Sequence, residues 1–194
     1  MSPETSPIDP LTSWAEQASL HWGGQPALQP LYGEYDLNFH AQEADGSASV
    51  LKVMRVDCAP AEIDVQIGLL SQLEDVPGVP VPKVIPTATG ANYAQAQDQD
   101  GHVRLMWRVG LLPGATLDRH APTRGLAHQI GTMTAHMHEA LSGFRHPSLE
   151  RTPKWDLCAA DWIENHLSVF DDQQAVQRQI AALLHWYQTQ GQPL

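Results

Sequence analysis

Hydrophobic and polar residues alternate in short runs along the first half of the chain, which is the pattern of half-buried β-strands. Turn-forming residues separate the runs, and Asp45-Gly46 between two of them predicts a hairpin. The sequence predicts strands over residues 28–31, 38–44 and 48–56, then over 84–87 or 91–97, and finally over 103–109.

Apolar residues recur every three or four positions in the other segments, which indicates amphipathic helices. One begins at Ala59-Pro60 and continues to about Leu73. The others are predicted over residues 14–22, 123–143, 158–170 and 175–190. Because strands come first and helices follow, the expected fold class is α+β, with the two kinds of element in separate lobes.

Composition narrows the classes of partner. The net charge of −11, from 22 acidic and 11 basic residues, argues against a nucleic-acid partner. It does not exclude a nucleotide, which needs only one or two local cations and backbone N–H groups. Two cysteines are too few for a disulfide framework. With no leader-like start and no apolar run of membrane-spanning length, we expect a cytoplasmic protein with no membrane partner.

Lys52 is the most informative residue, because it lies among aliphatic neighbours in the predicted strand at residues 50–53. The helix that follows carries two acids, Glu62 and Asp64. A strand lysine followed by a helix acid is how kinase folds hold the α- and β-phosphates of ATP. The local alternative is a lysine at a sheet edge whose head reaches water, followed by a solvated helix face.

Several segments, in their order along the chain, resemble the aminoglycoside-phosphotransferase-like kinases and are most similar to the hydroxylysine kinase branch. The segment 31–40, LYGEYDLNFH, is similar to the nucleotide loop of that family, which ends in Asp-x-Asn-Phe. The segment 50–53, VLKV, matches its lysine strand. The further similar segments are Asp64-Val65-Gln66, 108–114 (RVGLLPG), 130–138 with 144–147, and Trp155-Asp156-Leu157.

The resemblance implies a protein-kinase-like fold. Residues 1–20 would form a tail and a short helix, and residues 21–112 a nucleotide-binding lobe with a small antiparallel sheet and a helix. Residues 113–194 would supply the first helices of an α-helical C-terminal lobe. The implied reaction moves the γ-phosphoryl group of ATP or GTP, with Mg²⁺, to a hydroxyl of an amino acid, amino sugar or amino alcohol. Hydroxylysine is the best single candidate for the acceptor.

The same resemblance implies roles for the charged residues. Lys52 would hold the phosphates, and Asp64 or Glu62 would hold its ammonium group. The alignment with the family favours Asp64, although glutamate is the usual kinase residue and reaches further.

A loop and a hinge complete the candidate site. Tyr32, Gly33 and Asn38 belong to the loop whose backbone N–H groups would cover the phosphates, and Asn38 could fix that loop by hydrogen bonds to its backbone. An ordinary hairpin loop is the alternative. The hinge would offer backbone groups to adenine, and it consists of Val109, Gly110 and Leu111.

The sequence departs from the family pattern in one respect, because it contains no His-x-Asp-x-x-x-x-Asn segment. No catalytic residue and no metal ligand is therefore assigned, and Asp98-x-Asp100 is interpreted as a solvated turn. We expect a truncated kinase that is inactive alone. The alternative is a non-catalytic nucleotide-binding or scaffold module, whose incomplete helical lobe would favour self-association. The apolar residues of that lobe are Trp162, Leu167, Phe170, Leu183, Leu184 and Trp186.

Overall fold

The computed structural model describes residues 10–150 and 156–191 of the chain. They form two compact units, the first ending at Ser148 and the second beginning at Leu149. The first unit contains a six-stranded sheet and three α-helices, and the second is helical. The predicted α+β class, with its sheet in the first part of the chain, is confirmed.

The first unit opens with helix α1, Pro10–Trp22. This helix begins at Pro10 rather than at residue 14 as predicted, because proline fits the first turn of a helix. The following elements are β1 (Ala27–Leu31), β2 (Leu37–Gln42), β3 (Ala48–Val53), α2 (Pro60–Leu73), β4 (Val84–Ile85), β5 (Ala94–Gln97), β6 (Val103–Gly110) and α3 (Arg124–Leu141). Short 3₁₀ turns lie at Leu117–Arg119 and Pro147–Glu150.

The sheet is antiparallel throughout, with the strand order β1-β2-β3-β6-β4. β5 also pairs with β6, so both of the segments between which the sequence left a choice form strands. β1 is the outer strand, and its Pro30 pairs with Phe39 of β2. β6 lies at the centre and is buried on both faces, which explains its nearly continuous hydrophobic sequence.

One face of the sheet packs against α1. Alternate residues of β2 and β3 point to this face, as the period of two in a strand requires. They meet Trp14 and Ala18 of α1 in a buried apolar cluster. The strand residues of this cluster are Phe39, Ala41, Leu51, Val53, Ala96 and Met106.

The opposite face packs against α2, but only over part of its width. Ile63 of α2 is fully buried there, together with Cys58 in the segment before the helix. The sheet residues of this second cluster are Met54, Leu105, Trp107 and Val109. α3 then packs beside α2, where Gln72 donates a hydrogen bond to the carbonyl oxygen of Ala140 at 3.3 Å. The sheet therefore lies between α1 and α2, and α2 leaves the part of its face formed by β1 and β2 uncovered.

The second unit contains both of the predicted helices, with a different winding in each. The segment Leu157–Phe170 winds as a 3₁₀ helix, interrupted by the non-helical backbone of Ala159. Helix α4, Gln174–Trp186, ends in a single wide turn, Tyr187–Gly191. Gln188 in that turn donates hydrogen bonds to Asp161 and Glu164, which ties it to the 3₁₀ segment.

Within the described ranges, no helix combines the length and the apolar character needed to cross a membrane.

A buried arginine joins β6 to β3 on the α1 side of the sheet. Arg108 is only 6% exposed. Its guanidinium donates to the hydroxyl of Ser49 at 2.7 and 3.1 Å and to the carboxylate of Glu43 at 3.0 Å. It also lies 6.0 Å from the ring centre of Trp22. These contacts offset the cost of burying the charge.

Replacing Arg108 by alanine should therefore destabilise the first unit. The substitution leaves the Glu43 carboxylate without its cation, and we expect a loss of about 3 kcal/mol in the free energy of unfolding. Urea denaturation, monitored by tryptophan fluorescence, measures this loss. Arg119→Ala removes the same charge from an exposed turn and should cost at most about 0.5 kcal/mol. Equal denaturation midpoints for the two variants would contradict a stabilising role of the buried Arg108 contacts.

The Cys58 thiol should react slowly while the protein is folded. Burial, with a smaller contribution from the Glu62 carboxylate, raises the pKa of Cys58 to about 11. At pH 8 only about one thiol in a thousand is then ionised, compared with roughly a quarter for an ordinary cysteine. In a Cys158→Ser variant, alkylation by iodoacetamide should be at least about a hundredfold slower in buffer than in urea. A rate unaffected by urea would show that the thiol is exposed.

Candidate functional site

Lys52 lies on the sheet face opposite α1, next to the last residue of β3. It pairs with Asn38 of β2 on one side and with Trp107 of β6 on the other. The side chain is half-buried, and Nζ donates a hydrogen bond to Oδ1 of Asn38 at 2.9 Å. The register of the sheet thus brings together Lys52 and Asn38, which the sequence placed 14 residues apart.

The acids of α2 differ in their surroundings. Glu62 is half-buried, and its two carboxylate oxygens accept hydrogen bonds from Nη2 of Arg55 at 2.7 and 2.8 Å. These hydrogen bonds raise the pKa of Arg55, whose Nε also lies 3.0 Å from the Asp57 carboxylate. Asp64, by contrast, is exposed. The Glu62 carboxylate is thus bound by Arg55, and a contact of either acid with Lys52 stays a prediction.

Side-chain hydrogen bonds shape the loop between β1 and β2. The amide Nδ2 of Asn38 lies 3.4 Å from the carbonyl oxygens of both Tyr32 and Asp36. Gly33 passes so close to the Asp36 carbonyl oxygen that a Cβ atom at this position would collide with it. One carboxylate oxygen of Asp36 accepts a hydrogen bond from the backbone N–H of Arg55 at 2.9 Å. Asn38 therefore contacts the loop through its nitrogen and Lys52 through its oxygen.

The predicted hinge follows the end of β6. Val109 is buried and pairs with Val50 of β3. The backbone N–H of Gly110 donates to the carbonyl oxygen of Lys83 at 2.8 Å, so this donor is used within the protein. Leu111 is 46% exposed. The hinge therefore combines a buried and an exposed part, and its contact with adenine stays a prediction.

Next to Lys52, the sheet face opposite α1 is uncovered. Helix α2 packs over β3 and β6, whereas the residues of β1 that share this face are exposed and those of β2 are half-buried. With strands about 4.8 Å apart, β1 to β3 form a shelf roughly 10 Å wide. We call this surface the open face, and it comprises Ala27, Gln29, Leu31, Asn38, His40 and Lys52.

Two buried polar atoms of the described residues have no hydrogen-bond partner, and both are close to Lys52 in the sheet. They are Nδ1 of His40 and Nε1 of Trp107. Residues paired across neighbouring strands form a row, and Trp107 is in the same row as Lys52. His40 is in the next row on the same face of the sheet. Unpaired buried polar atoms are rare in folded proteins, so each calls for an explanation. Neither residue stood out in the sequence, although His40 follows Asn38 at the strand period of two.

The described chain offers one group of three clustered metal-ligand side chains, Asp98, Asp100 and His102, in the turn between β5 and β6. Burial works against ionisation of Asp98, but hydrogen bonds from Arg104 and from the backbone N–H groups of His102 and Asp100 lower its pKa below the ordinary value. The carboxylate of Asp98 is occupied by donors of its own turn. This arrangement agrees with the interpretation as a turn.

A pocket of about 330 Å³ is lined by residues of α2 and by Lys83 and Val84 near β4, and it includes none of the predicted site residues. Trp155, the first residue of the Trp-Asp-Leu segment, lies outside the described residues.

The comparisons with known proteins concern the family and the fold of the chain. A family model described as "Phosphotransferase enzyme family" (APH) matches residues 28–193. No curated protein gives a significant match. The structure of a microcompartment-associated aminopropanol kinase has 25% sequence identity and a TM-score of 0.60, with coverage of 75% of this chain and 45% of its own. The structure of an amicoumacin kinase with AMP-PNP, Ca²⁺ and Ami has 18% identity and a TM-score of 0.60, with coverage of 88% and 52%.

Both solved structures confirm the expected kinase-like fold, and the chain spans about half the length of each of them. The match to the family model is stronger evidence for the family of this chain than the solved structures are. It extends over most of the sequence and includes the strands of the sheet, the loop, Lys52 and the hinge. This chain therefore belongs to the APH phosphotransferase enzyme family.

Proposed function

We propose that this protein binds ATP or GTP through the open face and serves the transfer of the γ-phosphoryl group to a hydroxyl of a small amine. The observation that carries the proposal is the Lys52 ammonium, held by Asn38 at 2.9 Å beside an uncovered sheet surface. Phosphoryl transfer depends on positioning and on neutralising phosphate charge, and a fixed ammonium supplies both. Family membership supports the same reaction class.

The loop between β1 and β2 would cover the phosphates. Its backbone is fixed at both ends by Asn38, so its N–H groups are preorganised rather than free to rearrange. Preorganised donors bind a charged group at a lower entropic cost than flexible ones. Mg²⁺ would bridge the phosphate oxygens. We assign no ligand of Mg²⁺ to the described residues, because the one cluster of such side chains belongs to the turn between β5 and β6.

The acceptor we propose is an amino alcohol or a hydroxylated amino acid, with hydroxylysine as the single best candidate. The aminopropanol kinase structure supports this class, since its name gives an amino alcohol as substrate and its identity to this chain is 25%. The net charge of −11 agrees with a cationic substrate, because an acidic protein attracts amines in solution.

We propose in addition that the chain of 194 residues binds nucleotide without turning it over. The sequence has no His-x-Asp-x-x-x-x-Asn segment, which in kinases supplies the catalytic base and a metal ligand. ATP-dependent phosphorylation of hydroxylysine by the purified chain would contradict this part of the proposal.

A scaffold module is the second candidate, and exposed apolar side chains in the second unit favour it. Trp162, Leu183 and Trp186 are 38%, 66% and 59% exposed, whereas Leu184 of the same predicted face is buried. Exposed apolar surface of this kind favours self-association. A scaffold role needs no nucleotide, so nucleotide binding separates the two candidates.

Replacing Lys52 by alanine should weaken nucleotide binding. Removing one charged hydrogen-bond donor from the phosphates costs about 1.5–3 kcal/mol, which corresponds to roughly a tenfold to a hundredfold loss of affinity. Calorimetric titration of MgATP into native and Lys52→Ala protein measures this loss. Lys83→Ala is the matched control, because it removes an exposed lysine whose ammonium pairs with Glu74 instead.

The control should bind MgATP within about twofold of the native affinity. Equal losses in both variants would point to a general charge effect and contradict a phosphate contact by Lys52. No saturable binding by folded native protein would favour the scaffold candidate.

Gly33→Ala should weaken nucleotide binding through the shape of the loop. The new Cβ collides with the Asp36 carbonyl oxygen, so the loop must open and lose its hydrogen bonds with Asn38. We expect a loss of MgATP affinity of about tenfold, with the melting temperature of the protein lowered by only a few degrees. Gly131→Ala, in open space on α3, serves as the control. Native affinity in Gly33→Ala would show that the loop does not cover the phosphates.

A further inference from the structure

His40 shares the open face with Lys52 and lies one row away from it. It pairs with Val50 of β3, and Val50 pairs in turn with Val109 at the predicted hinge. The neighbouring row contains Asn38 and Lys52. Rows on one face of a sheet are about 6.7 Å apart along the strand. If phosphates bind at Lys52 and the base lies toward Val109, the nucleoside falls on the row of His40.

One side of the His40 ring is uncovered. Its partner in β1 is Gln29, which is exposed, and the neighbouring residues Ala27 and Leu31 on the same face are exposed as well. The ring itself is half-buried. A histidine that only filled the core would be enclosed on both sides, as Phe39 is on the opposite face of the same strand. The position of His40 therefore leaves room for a ligand.

The hydrogen bonding of the ring indicates its tautomer. Nδ1 is buried without a partner, and a proton on it would leave a buried donor unpaired. Buried donors without partners are rarer than buried acceptors without partners. The favoured tautomer carries its proton on Nε2. No hydrogen bond of Nε2 to another described residue occurs, so this N–H is the donor that the ring can offer to a ligand.

We infer that His40 is a nucleotide-contacting residue whose Nε2–H donates a hydrogen bond to the nucleoside, on the base or the ribose. The inference rests on the proposed function and adds a second contact, separate from the phosphate contact of Lys52. It gives the open face a polar group for the uncharged half of the nucleotide. Binding energy would then come from both halves of the ligand rather than from phosphate charge alone.

The test compares two ligands that differ only in the nucleoside. ATP and inorganic tripolyphosphate, each with Mg²⁺, are titrated into native protein and into the His40→Ala and Lys52→Ala variants. His40→Ala should weaken ATP binding by about fivefold to tenfold and leave tripolyphosphate binding within about twofold. Lys52→Ala should weaken the binding of both ligands. Circular dichroism melting curves check that each variant is folded.

Two conservative variants test the position of the donor. The amide nitrogen of glutamine reaches about as far as Nε2 of histidine, whereas that of asparagine reaches only the position of Nδ1. His40→Gln should therefore keep ATP affinity within about threefold of native, and His40→Asn should lose as much as His40→Ala. This pair separates a donated hydrogen bond from mere filling of space.

The outcomes distinguish a failure of the His40 contact from a failure of the proposed function. If Lys52→Ala weakens ATP binding and His40→Ala does not, the contact of His40 is overturned while the proposed function stands. If His40→Ala weakens ATP and tripolyphosphate binding equally, His40 acts on the sheet and not on the nucleoside, which also overturns the inference. If native protein binds neither ligand, the proposed function fails, and the inference fails with it.

Discussion

The register between β2 and β3 is the constraint on which the candidate site depends. It places Phe39 and Leu51 opposite each other against α1, and the next pair, Asn38 and Lys52, opposite each other on the open face. A slip of one residue would turn every side chain to the other face, so that Lys52 would enter the apolar core. Burial of apolar surface on the α1 side, at about 25 cal/mol per Å², thus fixes the position of the Lys52 ammonium on the opposite face. The side chains that the open face presents are therefore set by the hydrophobic packing on the opposite side of the sheet.

Much of the first unit could be predicted, because its signals are local. Alternation identified β3, Asp45-Gly46 identified the hairpin, and α2 runs from Pro60 to Leu73 as expected. The ion pair between Arg55 and Glu62 could not be predicted, since it forms where the end of β3 approaches the first turn of α2 in space. The hydrogen bond from Lys52 to Asn38 likewise required the strand register. The 3₁₀ winding of the second unit has no signal in its helical hydrophobic period.

Arg55 links three parts of the site that the sequence treats separately. Its backbone N–H binds the Asp36 carboxylate in the loop, and its guanidinium binds Glu62 in the first turn of α2. The residue itself lies two positions after the end of β3 and three positions after Lys52. The loop and α2 are therefore connected through one residue, by its backbone on one side and its side chain on the other. In kinase folds the helix acid must reach the strand lysine, and here such a contact by Glu62 would have to be shared with or exchanged from the arginine.

The proline in β1 has a consequence for how this protein behaves at high concentration. Pro30 has no N–H group, and a proline within a paired strand is tolerated where its nitrogen faces away from the partner. The outer side of β1 therefore lacks a donor near its middle. A second molecule that tried to extend the sheet at this edge would meet an interrupted ladder. At the β1 edge, pairing of strands between two copies is therefore obstructed by the backbone, and contacts between side chains remain open.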